Sequence, residues 1–109
     1  MDAISFEYAP PTTMEHLSCL GGCLRMANHY ARVAEFNACR RELVQAARAA
    51  DALHESVLSQ GIGSAVIAIE EGGLTSASVL EYTDGLLFAL SQLLRDNRTR
   101  YIPVAEQPT

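Results

Sequence analysis

The chain has 109 residues, 49% of them hydrophobic, with Tyr and Phe as its only aromatics. This is enough for one domain whose core is built mainly from Leu, Ala, Val and Ile, and folding is expected to bury roughly 65% of the surface the unfolded chain exposes. A formal net charge of −5 opposes attraction to phosphate backbones and anionic lipid, so nucleic acid is a disfavoured partner.

No apolar run approaches the roughly 18 residues of a membrane span. Met1 to Thr13 lacks the basic-then-apolar order of a signal peptide, which implies a cytoplasmic protein. Cys19, Cys23 and Cys39 are odd in number and unevenly spaced, so they predict free thiols and not a disulfide framework. Every basic side chain is Arg and Ala is abundant, the residue usage of a GC-rich, bacterial or phage, genome.

In chain order, Ile4, Phe6 and Tyr8 alternate with polar neighbours and Pro10-Pro11 stops them, which predicts an extended arm over 1–12. Thr12 and Glu15 have capping-box spacing at the start of a first helix, about 13–35. Its seam is Leu17, Leu20, Leu24, Ala27, Ala31, Ala34 and Ala38. Gly21 and Gly22 within it, each costing about 1 kcal/mol relative to Ala, predict either close packing of another backbone or a local break.

Continued in phase, that seam would meet Arg41, Gln45 and Arg48, yet a second seam has begun: Phe36, Cys39, Leu43, Ala46, Ala50, Leu53 and Val57. One straight helix would place the two on nearly opposite sides, so the phase change predicts a helical hairpin turning near Glu35 to Asn37. The second helix is expected over about 37–60 with Gly61 as its left-handed cap, followed by a short helix over about 64–71 capped by Ser64. The third main helix, about 76–97, opens on the capping-box pair Ser78 and Glu81. Its apolar residues form two stripes, Val79, Tyr82, Leu86, Ala89, Leu93 and Leu80, Thr83, Leu87, Leu90, Leu94. That is wider than a surface helix needs, so the helix is central or its second stripe meets another chain. Pro103 and Pro108 predict an extended tail over 99–109. The expected fold is an all-α bundle of three main helices and a short one, a single domain over 13–98.

Among candidate sites, His16, Cys19 and Cys23 sit three and four residues apart on the first helix. His16 and Cys23 are about 10 Å apart along the axis, so at most two ligands come from this cluster, and a tetrahedral zinc would need others from His29, Cys39 or His54. The simpler reading makes the cysteines small buried hydrophobes and assigns no metal or cofactor. Gly61-Ile62-Gly63-Ser64 follows a helix and lacks the third glycine of a phosphate loop. Glu70-Glu71 and Glu81-Asp84 read as solvated helix ends, and no convergent titratable set points to an enzyme.

Arg25, His29 and Arg32 line the side of the first helix opposite its seam, with few acidic neighbours at helical spacing, which suits carboxylates on another protein. The sequence is thus read as a non-catalytic regulator, adaptor or inhibitor acting by surface occupancy, expected as a homodimer. Leu80, Leu87, Leu90, Leu94, Arg25, His29 and Arg32 are its candidate contact residues. A structural or secretion-associated assembly subunit, a metal- or thiol-dependent sensor built on His16, Cys19 and Cys23, and a nucleic-acid-binding regulator using the Arg face are the alternatives.

Overall fold

The computed structural model describes residues 11–97; the two terminal arms, save residues 11 and 12, lie outside it. Four helices and no strand occur among the described residues: α1 (Pro11–Arg32), α2 (Phe36–Ala52), α3 (Ser56–Glu71) and α4 (Ser76–Asp96). The fold is all-α as expected, but its division differs from three main helices and a short one. The helix expected over 37–60 ends at Ala52, and the short helix over 64–71 is the second half of the 16-residue α3.

The first two corners share one geometry, which explains that correction. At the end of α1, Ala34 takes a left-handed φ of 59°, Glu35 N–H donates to the Tyr30 carbonyl at 2.9 Å and Ala34 N–H to that of Ala31 at 3.2 Å. At the end of α2, His54 takes φ 61°, Glu55 N–H donates to Ala50 at 2.9 Å and His54 N–H to Asp51 at 3.0 Å. Both are Schellman closures, which satisfy carbonyls that a helix end leaves open. Glu35 and Glu55 then start the next helices with nearly equal dihedrals, φ −91° ψ 75° and φ −96° ψ 74°. The hairpin predicted from the phase change is present, with its turn at Val33 to Glu35 instead of Glu35 to Asn37.

The predicted caps move as well. α1 has begun by Pro11, a residue suited to a first helical turn, so Thr12 lies inside the helix and does not cap it. Gly61 and Ser64 are interior to α3, whose end falls at Gly72 and Gly73, both with φ 80°. The cap of α4 is Thr75, whose Oγ1 accepts from Ser78 N–H at 3.1 Å, so Ser78 serves as the capped residue. Gly21 is buried inside an unbroken α1, where an added Cβ would lie 3.8 Å from Leu90 Cδ2, while Gly22 faces open space.

Each helix packs on the next and α1 also packs on α4, closing a four-helix ring. Short connections reverse the chain at each corner. Arg40 near the start of α2 accordingly pairs with Glu70 near the end of α3 at 3.2 Å. The first seam is buried at Leu20, Leu24, Ala27 and Ala31, but Ala34 is exposed in the turn. The second is buried from Cys39 to Leu53, whereas Val57, expected to continue it, is 84% exposed because α3 has started in a new phase through Leu58, Ile62 and Ala65. On α4 the buried line runs between the two predicted stripes, taking Val79 and Leu86 from one and Thr83 and Leu90 from the other.

Candidate protein-interaction surface

The α3 to α4 side of the ring is its most sparsely packed. Gly61 has no side chain to give, and the nearest α4 atom to an added Cβ there is Leu86 Cδ2 at 3.5 Å. Further along, α4 contributes Ala89. These two small residues leave a groove of about 350 Å³ with Leu58, Gly61, Leu86, Ala89 and Leu93 along it, Val57 beside it, and Glu55, Gln92 and Asp96 as its polar members. Leu58 and Leu86, each 8% exposed, are the least buried apolar residues of the core. An apolar concavity with a few polar groups at one end has the composition of a docking site. The sequence hides it: Gly61 reads as a cap and Val57 as core, and no local signal says that Gly61 and Ala89 line one groove.

The predicted contact residues separate into three groups. Leu90 is 6% exposed and packs into the core near Gly21, so within a single chain it offers no surface to a partner. Leu80, Leu87 and Leu94 are half-buried against the same core. Arg25, His29 and Arg32 are exposed on α1, as are Arg41 and Arg48 on α2. Arg32 is partly committed, since its Nε donates to Asn28 Oδ1 at 3.3 Å. Exposed apolar area is added by Phe88 (65%) and Tyr82 (44%) on α4.

Asn28 was not singled out by any sequence pattern, yet with Thr83 it is the buried polar pair of the core. Its Nδ2 donates to Thr83 Oγ1 at 2.9 Å and to Asp84 Oδ1 at 2.8 Å. Thr83 Oγ1 in turn donates within α4, 3.1 Å from the Leu80 carbonyl and 3.3 Å from that of Val79. Asp84, read from the sequence as a solvated helix-end carboxylate, is therefore an acceptor that ties α4 to α1.

Cys19 and Cys23 bring their Sγ atoms within 3.8 Å on α1, Cys19 exposed and Cys23 half-buried, while Cys39 is buried. Helix neighbours four apart keep their Cβ atoms about 5–6 Å apart, wider than the about 3.5–4.5 Å of a disulfide, so the pair stays a dithiol while α1 is intact. Burial, then the neighbouring Cys19 thiol, then Glu42 push the Cys23 pKa up to about 12. Burial alone pushes Cys39 up to about 11. Both are neutral thiols at pH 7 and poor nucleophiles. His16 is exposed, and among the described residues no group of three or more His, Cys, Asp and Glu side chains is placed to hold a metal ion. No described helix is long and apolar enough to cross a membrane. The chain matches no protein-family model, no curated protein sequence and no solved structure.

Proposed function

We propose that this chain is a non-catalytic protein-interaction module, a small bacterial or phage-encoded regulator, adaptor or inhibitor that works in the cytoplasm by occupying a surface. The observation that carries this reading is the open apolar groove between α3 and α4, lined by Leu58, Gly61, Leu86, Ala89 and Leu93. Apolar concavities of this kind are where helical partners dock. The exposed Arg25 on α1 supplies charge, and His29 beside it a hydrogen-bonding ring, for a partner's carboxylates away from the groove. A second copy is a further partner, because Leu80, Leu87 and Leu94 repeat every seven residues along a half-buried edge of α4.

A photo-crosslinking amino acid placed at Ala89 tests the reading in host cells. Compared with the same group at exposed Gln45 on α2, position 89 is expected to yield a discrete protein adduct that Gly61→Leu, which fills the groove, removes. Identical adducts from both positions, or none from position 89, would contradict it.

A further inference from the structure

We infer that the α3 to α4 groove receives an amphipathic helix of a partner protein whose apolar stripe ends in basic residues, with the basic end at Asp96. The inference rests on the interaction reading above and adds the chemistry of the partner. Leu58, Gly61, Leu86, Ala89 and Leu93 give the groove its apolar length. From Leu86 to Asp96 it follows α4 for about 15 Å, or about three helical turns. That length and a volume of about 350 Å³ suit a row of apolar side chains at i, i+4 and i+7 from a helix laid along it.

The two ends of the groove differ in charge. Leu86 and Gly61 stand at one end, and Asp96, exposed in the last turn of α4, stands at the other with Glu55 at the start of α3. A helix carries about half a negative charge at its carboxyl end. Although Asn97 donates through both N and Nδ2 to the Leu93 carbonyl, each at 3.0 Å, the carbonyls beyond it have no partner within the helix. Arg95, the basic residue of that turn, does not line the groove. The amino end of α3 opens at the same mouth and its positive dipole offsets that of α4, so the net charge there is that of the Asp96 and Glu55 carboxylates. They favour Arg or Lys there and repel Glu or Asp, and the chain's net charge of −5 steers the approach of a basic segment in the same sense.

Two fluorescein-labelled 16-residue peptides test this on the full chain by anisotropy. They share Leu at i, i+4, i+7 and i+11 over Ala and Gln, and differ only in ending with two Arg or two Glu. The Arg-ended probe is expected to bind about tenfold tighter, because attraction replaces repulsion at the acidic mouth of the groove. In Asp96→Asn most of the preference should be lost, because the dipoles of α3 and α4 offset one another at this mouth. Gly61→Leu should abolish binding of both probes and keep or raise the thermal midpoint, since it replaces a glycine within a helix. Ala89→Arg, at an exposed position, is a second block with little demand on folding.

Equal affinity for the two probes, with both lost in Gly61→Leu, overturns the basic partner but leaves the groove as an interaction site. Binding that survives both blocks overturns both readings. If sedimentation shows a dimer that Gly61→Leu dissociates, the groove belongs to a second copy and the inference fails. It fails also if stopping the chain after Asn97 tightens the Arg-ended probe about tenfold, which would assign the groove to the chain's own residues 98–109, whose sequence begins Arg-Thr-Arg-Tyr-Ile-Pro-Val.

Discussion

Ala34 and His54 turn two helix ends with left-handed backbones that glycine adopts most easily, and neither position is glycine. A side chain in that region costs about 1–2 kcal/mol, and the surrounding closures hold it there by satisfying the carbonyls of Tyr30 and Ala31 in one corner and Ala50 and Asp51 in the other. Ala34 is exposed, so replacing it removes little packing. Ala34→Gly relieves the strain and gives back part of it through the greater freedom of glycine in the unfolded chain. The expected net gain is about 0.5–1 kcal/mol, read as a higher urea midpoint at unchanged slope. A lowered midpoint would mean that the closure does not hold Ala34 as described. These corners also show why their position is hard to read from the chain: the left-handed residue, where helices usually place Gly or Asn, is here Ala or His, and only the shift of apolar phase around it marks the break.

At the scale of the helix pair, Asn28, Thr83 and Asp84 place a polar node where α1 meets α4 in an otherwise apolar seam. Sliding one helix along the other would bury the Asn28 amide without its acceptors, so the node penalises other registers. Asn28→Ala leaves Thr83 bonded to its own helix and Asp84 free to be hydrated, at a cost of about 1–2 kcal/mol; Thr83→Val leaves one buried Asn28 N–H unmatched, at about 1–3 kcal/mol. Since both substitutions sever the same bond, the double variant is expected to lose less than the sum by about 0.5–1 kcal/mol in chemical denaturation. Strict additivity would show that the bond contributes nothing to stability.

The node was illegible because Asn and Asp on a helix carry no period of their own, whereas the seams Leu20 to Ala31 and Cys39 to Leu53 were legible by spacing alone. The break after α2 was hidden for a different reason. Leu53 to Val57 keeps helical spacing, while the true core continues from Leu53 to Leu58, five residues on. The α3 to α4 groove was beyond reach of the sequence because it arises between two helices, from the absence of a side chain at Gly61 and a small one at Ala89.

For the molecule as a whole, the ring of four helices decides how much apolar surface is left for a second copy. The breadth of apolar residues on α4 is consumed in part by α1 and α3: Leu86 and Leu90 are in the core, and Leu80, Leu87 and Leu94 are half-buried against it. What the last three leave open, with seven-residue spacing, is a narrow edge, and the proposed homodimer would join two such edges. Leu87→Glu separates the possibilities. A carboxylate at a half-buried position can reach water, so the single chain should lose about 1–2 kcal/mol and not the several kcal/mol of a buried, unpaired charge. That corresponds to a fall in thermal midpoint of roughly 5–15 °C for a domain of this size, with the far-ultraviolet circular dichroism of a helical protein retained at 25 °C. Two Glu side chains facing each other across a dimer seam would in addition repel and lose the apolar burial, which dissociates the pair. Light scattering should therefore report a dimer for the native chain and a helical monomer for Leu87→Glu. A native monomer would remove the homodimer. An unfolded Leu87→Glu would mean that Leu87 belongs fully to the core, contrary to its half-buried place at the edge of it.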